Sequence, residues 1–223
     1  MTTTKMLPPS AQNAQDIFSE TGYNLMPHQV AGVNWILSRE TQVRHCGGIL
    51  ADDMGLGKTI QMISTILAHP KKKTLIIVPA SLITQWETEI KKFSPKTPTY
   101  IHWRNQLVGE EQLQEIESQP INIILTTYGY ATSPLAQHTR FDRIVCDEAH
   151  YFRNPKSVTF KYIQLISAPI RWALTGTPIQ NRLGDLQTLL TYVGLTDFGW
   201  GSPMSHQDAE DLIPIYLLRR TKD

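Results

Sequence analysis

Lys58 and Thr59 directly follow a glycine-spaced loop, Gly55-Leu56-Gly57, and a short apolar run, Ile49-Leu50-Ala51, leads towards it. Glycines let backbone N–H groups approach an anion closely. A helix read over 60–67 adds the positive end of its dipole at the same point. In that setting a lysine reaches the terminal phosphates of a nucleotide and a threonine hydroxyl binds Mg²⁺. The generic pattern carries another glycine at the position held here by Asp52. A bare Gly-Lys-Thr also suits an ordinary strand-to-helix turn.

A second set of reactive side chains follows the apolar run Arg143-Ile144-Val145-Cys146, namely Asp147, Glu148 and His150. Mg²⁺ takes oxygen ligands in an octahedron and keeps several waters, so a phosphate loop needs a carboxylate from a neighbouring strand. Asp147 is placed for that, and Glu148 for orienting and deprotonating an attacking water. The competing reading is a helix N-terminus that simply favours acids. His150 alone is equally a polar residue satisfied in a packed turn. The remaining histidines show no metal-ligand spacing.

The elements that must hold these groups are legible from punctuation and period. Residues 1–22 read as a polar arm with a short helix near Asp16 to Glu20. Pro27 opens an amphipathic helix bearing Val30, Val33, Ile36 and Leu37, with His28 and Gln29 in a solvated first turn. Strands are predicted over Thr74 to Val78, Tyr100 to Trp103, Ile121 to Leu125, Phe141 to Cys146 and Arg171 to Leu174, with Thr74 to Val78 and Ile121 to Leu125 read as buried. Helices are expected after Ser81 as N-cap, over Glu110 to Ser118, Ser157 to Ser167 and Leu183 to Val193. Asp211 to Leu218 reads as a last helix or strand. Trp86 falls at helical spacing with Leu82, Ile83, Ile90 and Phe93, which favours core packing over base stacking. Continuous apolar strands alternating with helices imply an α/β fold, a mostly parallel sheet covered on both faces. Ligands of such sheets bind beyond the carboxyl ends of the strands, where every polar cluster of this chain falls.

Composition narrows the class. At 223 residues with 41% hydrophobic content, the chain can bury a full core without disulfides. A net charge of +1 leaves nucleic-acid contact to local patches. The two cysteines, Cys46 and Cys146, make no disulfide framework or metal pattern. No apolar run reaches membrane-spanning length, and the first residues lack the apolar core of a signal peptide. Lys71 to Lys73 read as a solvated turn.

The motifs taken together resemble the Swi/Snf-related ATPases, helicase-like DNA translocases of superfamily two. Asp52 to Thr59 resembles their motif I, where aspartate at the first position is usual. Val78 to Leu82 with Gln85-Trp86 resembles motif Ia, and Leu125 to Gly129 the next DNA-facing motif. Asp147 to His150 with Arg153-Asn154 resembles motif II, and Leu174 to Asn181 motif III. Leu218-Arg219-Arg220 resembles the segment that leaves the first lobe. The likeness runs from about residue 25 to the C-terminus. Asp53, Trp103 and Arg153 depart from the commoner residues at their positions.

The resemblance implies a RecA-like, three-layer α/β/α lobe over residues 23–223 with ATP and Mg²⁺ as cofactors. It implies that Gln29 reads the adenine and that Asp52, Met54, Gly55, Leu56, Gly57, Lys58, Thr59 and Ile60 form the nucleotide cradle. Thr59 and Asp147 would hold Mg²⁺, with Lys58, Asp147 and Glu148 acting on the phosphates and water. Ser81, Thr127 and Tyr128 would face a nucleic-acid strand through sequence-blind phosphate contacts. His150, Thr175, Gly176 and Thr177 would couple nucleotide state to DNA grip. The expected partners are double-stranded DNA, a second RecA-like lobe of the parent protein, and chromatin or DNA-bound proteins, in the nucleus of a eukaryote. The second lobe is not in this sequence, so the expectation is an excised first lobe, nearly inactive alone. Two readings compete: a DEAH-type helicase of RNA or DNA, and a non-catalytic nucleotide-dependent scaffold.

Overall fold

The computed structural model describes residues 23–178, 183–195 and 203–222. The expected helix near Asp16 lies outside these, as do Ile179 to Asn181 of the motif III stretch. The elements run α1 (Pro27–Glu40), β1 (Gly47–Leu50), α2 (Lys58–Ala68), β2 (Thr74–Val78), α3 (Ile83–Phe93) and β3 (Thr99–His102). They continue with α4 (Glu110–Ser118), β4 (Ile123–Thr127), α5 (Pro134–His138), β5 (Arg143–Cys146), α6 (Val158–Leu165) and β6 (Ile170–Leu174). The last are α7 (Leu183–Tyr192), α8 (His206–Tyr216) and β7 (Leu217–Leu218). The segment read as helix or strand is both, because α8 runs straight into β7.

The sheet order is β3-β4-β2-β5-β6-β1-β7, with each strand parallel to its neighbours. Strand alternation divides the core in two. Ile49, Leu75, Ile77, Ile124, Ile144 and Ala173 enter one apolar cluster, with Phe160 and Ile163 of α6 and Leu186 and Leu189 of α7. Leu50, Ile76, Val78, Leu125, Val145 and Trp172 enter the other, with Val33 and Ile36 of α1, Met62 and Ile63 of α2, and Trp86 and Ile90 of α3. Both faces of β1, β2, β4, β5 and β6 are thus covered, which is why these strands read as unbroken apolar runs, whereas β3 and β7 are half-buried. Ser157 caps α6 through its hydroxyl, which accepts from the Phe160 N–H. Ser81 does not cap α3 as expected. It lies inside a tight turn, Ala80–Leu82, and the helix begins two residues later at Ile83 without a side-chain cap. Among the described residues, no helix is long and apolar enough to cross a membrane.

One polar network crosses this apolar interior. Arg143 on β5 and Glu40 at the end of α1 are both fully buried. They meet as a fork, Nε to Oε1 at 2.7 Å and Nη2 to Oε2 at 2.5 Å. Trp172 Nε1 donates to Glu40 at 2.9 Å, and His69 Nδ1 lies 2.7 Å from its Oε2. Arg143 also donates to the His69 carbonyl. Burial opposes ionisation of Glu40, but the Arg143 charge and these hydrogen bonds prevail and hold its carboxyl down to about 2, from an ordinary 4.5. The folded value lies below the unfolded one. The stabilisation is therefore complete above about pH 4.5 and is lost as pH falls towards 2. Glu40→Gln, which leaves Arg143 buried without its counter-charge, is expected to cost about 3 kcal/mol at pH 7. Urea unfolding of both proteins at pH 7, 5, 4 and 3 checks this. The gap should narrow in acid, and a gap independent of pH would remove the ion pair as its source.

Candidate nucleotide site

The strand order decides which loops meet. β5, β6 and β1 lie side by side, so the loops after them, carrying Asp147, Thr175 and the Gly55–Lys58 turn, share one edge. The turn enters α2 through Gly57 at φ 82°. A Cβ there would lie 2.6 Å from Gln29 Nε2 and 2.9 Å from the Ile60 side chain. Glycine is thus required twice, for the left-handed backbone and for the close approach. Lys58 is the first residue of α2, and its Nζ donates to the Asp52 carbonyl at 2.7 Å. A longer bond runs from Nζ to the Asp53 carbonyl at 3.4 Å. An ammonium has three donors, so these bonds anchor the side chain and leave one for a ligand.

A cleft of about 500 Å³ opens at this edge. It is lined by Gln29, Met54, Gly55, Gly57, Lys58, Thr59, Ile60, Trp86, Asp147 and Glu148, among others. Most of the predicted cradle is therefore brought together around one cavity with both predicted carboxylates. Met54 is 74% exposed at its rim. Gln29 is buried beside Gly57, and its Oε1 accepts the Met26 N–H at 3.0 Å, so the side chain also closes the start of α1. His28, read as solvated, places Nε2 3.1 Å from the Leu56 carbonyl and braces the loop from behind.

Asp52 and Leu56 do not line the cleft. The Asp52 carboxylate is wholly buried and turned towards the C-terminal strand. Arg220 Nε donates to Oδ1 at 2.9 Å, Arg220 Nη2 to Oδ2, and Gln61 Nε2 to Oδ2 at 3.1 Å. The expected cradle role thus passes to its backbone carbonyl, which holds Lys58, because the carboxylate is consumed by the guanidinium. The backbone follows the same seam, with Ala51 N–H donating to the Leu218 carbonyl and Asp53 N–H to that of Arg220.

Asp147 is 6% exposed. Its Oδ2 accepts from Trp86 Nε1 at 2.7 Å and its Oδ1 from the Glu148 N–H at 2.9 Å. Burial pushes the Asp147 carboxyl above the usual carboxylate range, against the Trp86 hydrogen bond and with the nearby Glu148 charge. A carboxylate so placed is one that a divalent cation would stabilise. The donor set beside it, a Thr59 hydroxyl and phosphate-accessible space, is the oxygen chemistry Mg²⁺ takes. Glu148 adopts the left-handed conformation at φ 51°, ψ 50°. For a residue with a Cβ this costs on the order of 1 kcal/mol. Its Oε2 lies 3.0 Å from His150 Nδ1. The glutamate is thus aimed by its own strained turn and by a histidine.

Of the predicted coupling residues, Gly176 lies against the loop. A Cβ at Gly176 would lie 3.2 Å from Met54 Cγ and 3.8 Å from Lys58 Nζ. Thr175 is buried, and its N–H donates to the Leu50 carbonyl. Thr177 accepts from Arg153 at 2.8 Å. The predicted nucleic-acid residues divide. Ser81 is exposed, whereas Thr127 and Tyr128 are 5% and 8% exposed. Tyr128 does not offer its hydroxyl outward, because that group donates to the Asp147 carbonyl at 2.5 Å. Its ring stacks on Tyr151 at 4.9 Å. Trp86 packs in the core as expected, but its bond to Asp147 was not foreseen. A tryptophan in place of an aliphatic at a buried helical position was the only signal.

Comparison with known proteins gives concordant results. The SNF2-related domain family matches residues 28–207. ATP-dependent helicase fft3 of Schizosaccharomyces pombe is 36% identical over 189 residues, 79% of this chain and 20% of that protein. DNA repair protein RAD5 of Gibberella zeae is 32% identical, covering 82% of this chain and 22% of its own length. The chain thus spans about a fifth of these curated relatives. Among solved structures, the Sulfolobus solfataricus SWI2/SNF2 ATPase core in complex with dsDNA superposes with a TM-score of 0.73 at 30% identity. It covers 97% of this chain and 47% of that one.

Removing the guanidinium from the Asp52 seam tests its structural weight. Arg220→Ala leaves a buried carboxylate with Gln61 and a backbone N–H as partners. Arg220 is itself partly exposed, so a cost of about 2 kcal/mol is expected, below the range for fully buried pairs. Lys222→Ala, at an exposed neighbour, should stay within about 0.5 kcal/mol. Urea unfolding midpoints of the two variants distinguish these outcomes.

Proposed function

The chain belongs to the SNF2-related domain family, and on that footing we propose that it is the ATP-binding first lobe of a double-stranded-DNA translocase that remodels chromatin or displaces DNA-bound proteins. The convergence of Lys58, Thr59, Asp147 and Glu148 on one cleft carries the reading. Gly55 and Gly57 present backbone N–H groups to the phosphates, and Lys58 neutralises the terminal charge. Thr59 and Asp147 would hold Mg²⁺, which neutralises charge on the leaving and transferred phosphates. Glu148 orients a water and accepts its proton as the water oxygen bonds to the terminal phosphorus. The bond to the bridging oxygen breaks in the same event, releasing ADP and phosphate.

A solved relative in complex with dsDNA supports duplex DNA as the partner. Ser81 is the exposed hydroxyl best suited to a phosphate contact, which positions without reading sequence. Arginines from a second lobe would complete the site. In related phosphoryl transfer such an arginine contributes about 10³–10⁵-fold in turnover, so the single lobe should bind ATP and hydrolyse it poorly. A nuclear location follows if the parent is eukaryotic.

ATP hydrolysis is the decisive measurement, on this chain and on the same chain joined to its second lobe, each with and without duplex DNA. The lobe alone should be near background and the pair stimulated by DNA. In the pair, Lys58→Ala and Glu148→Gln should each lower turnover by at least 100-fold, on the order expected for removing a general base or phosphate ligand. Glu148→Gln should still bind nucleotide. A pair that separates duplex strands would point instead to a helicase, and an inert pair to a scaffold.

A further inference from the structure

Trp86 does more than fill the core. Its ring is 1% exposed, packed on α3 with Ile83, Ile90 and Phe93 in one apolar cluster. An aliphatic or phenyl side chain would satisfy that cluster. An indole also brings an N–H that needs a partner once buried. Its N–H donates to Asp147 Oδ2, at 2.7 Å and across 61 positions of sequence. The other carboxylate oxygen accepts the Glu148 N–H. Each oxygen of a carboxylate has two lone pairs, so one donor on each fixes the plane of the group and leaves one lone pair on each unused. The Tyr128 hydroxyl holds the Asp147 carbonyl from the next loop, so backbone and side chain are restrained separately. Trp86 also stands in the wall of the cleft that holds Lys58 and Thr59.

We propose that Trp86 is a positioning residue for the metal-binding carboxylate: its indole N–H, reaching from α3 to β5, sets the orientation in which Asp147 meets Mg²⁺. This rests on the reading of the cleft as a Mg²⁺–nucleotide site. The outer partners of metal ligands act in this way elsewhere, and their loss costs about 10–100-fold in metal affinity. A purely structural bond predicts something different, a loss of stability with no change in metal dependence.

The test is equilibrium binding of a fluorescent N-methylanthraniloyl ATP to this chain across a Mg²⁺ series at constant pH. The wild type is compared with Trp86→Phe, and with a protein carrying benzothienylalanine at position 86. The latter keeps the shape of the indole and replaces only the N–H, so it decides the matter if the phenylalanine variant does not fold. The expected result is that half-saturating Mg²⁺ rises about 10-fold or more in both. Affinity for the metal-free nucleotide should stay that of the wild type. An unchanged Mg²⁺ dependence would overturn the proposal, as would equal weakening with and without metal. Asp147→Asn separates the two levels. A wild type that ignores Mg²⁺, or an Asp147→Asn protein that responds as the wild type does, would sink the underlying site reading instead.

Discussion

The fold depends at its reactive edge on the neutralisation of one buried carboxylate. Asp52 leaves the end of β1 with no exposed surface, and an unpaired charge in that position would cost several kcal/mol. Arg220 answers it with a fork, and Gln61 of α2 bonds to both partners. Three separate parts of the chain, the β1 end, α2 and the strand after α8, are tied at this point. The carbonyl of the same residue holds Lys58. The position of the Lys58 ammonium therefore rests on the ion pair that also docks β7. The backbone seam along residues 51–53 and 218–220 extends that tie and sets its register.

This gives the departure from the generic glycine pattern a structural role. A glycine at 52 would supply conformational freedom. The observed aspartate supplies an electrostatic tether, and the glycines that geometry needs remain at 55 and 57. Asp52 as a motif residue was legible from the order of motifs, whereas its direction was not. Its partner lies 168 positions away, and a sequence pattern carries no information about which side of a loop a carboxylate faces.

Where sequence reading succeeded, a local rule and the global fold agreed. Unbroken apolar strands meant a sheet buried on two faces, and polar clusters after each strand meant a reactive carboxyl edge. Lys58, Thr59, Asp147 and Glu148 all stand at that edge and line one cleft. It fell short where tertiary contact overrode local preference. Ser81 is a good cap residue by type, but the tight turn at Ala80–Leu82 delays the helix past it. Tyr128 sits in a motif expected to face a strand, yet burial turns its hydroxyl to the nearest acceptor, the Asp147 carbonyl. The pairing of Arg143 with Glu40 has no local signal in the sequence. Tertiary packing alone brings the two together, 103 positions apart.

The two buried carboxylates near β5 show how environment separates tasks that sequence leaves alike. Glu40 is as buried as Asp147, but it faces a guanidinium and two ring N–H groups. Its charge is fully compensated, and its acceptor capacity is spent inside the protein. Asp147 receives only neutral donors, one indole and one backbone N–H, and its neighbour Glu148 is itself acidic. The Lys58 charge offsets that of Asp147 only in small part, and burial prevails. A carboxylate of the first kind fixes the fold, and one of the second kind keeps an attraction for a cation that enters from solvent. The strained turn at Glu148 fits the same division. Backbone strain is tolerated where the surrounding hydrogen bonds over-determine the conformation. The Asp147 loop, gripped by Trp86, Tyr128 and its own Glu148 N–H, is such a place.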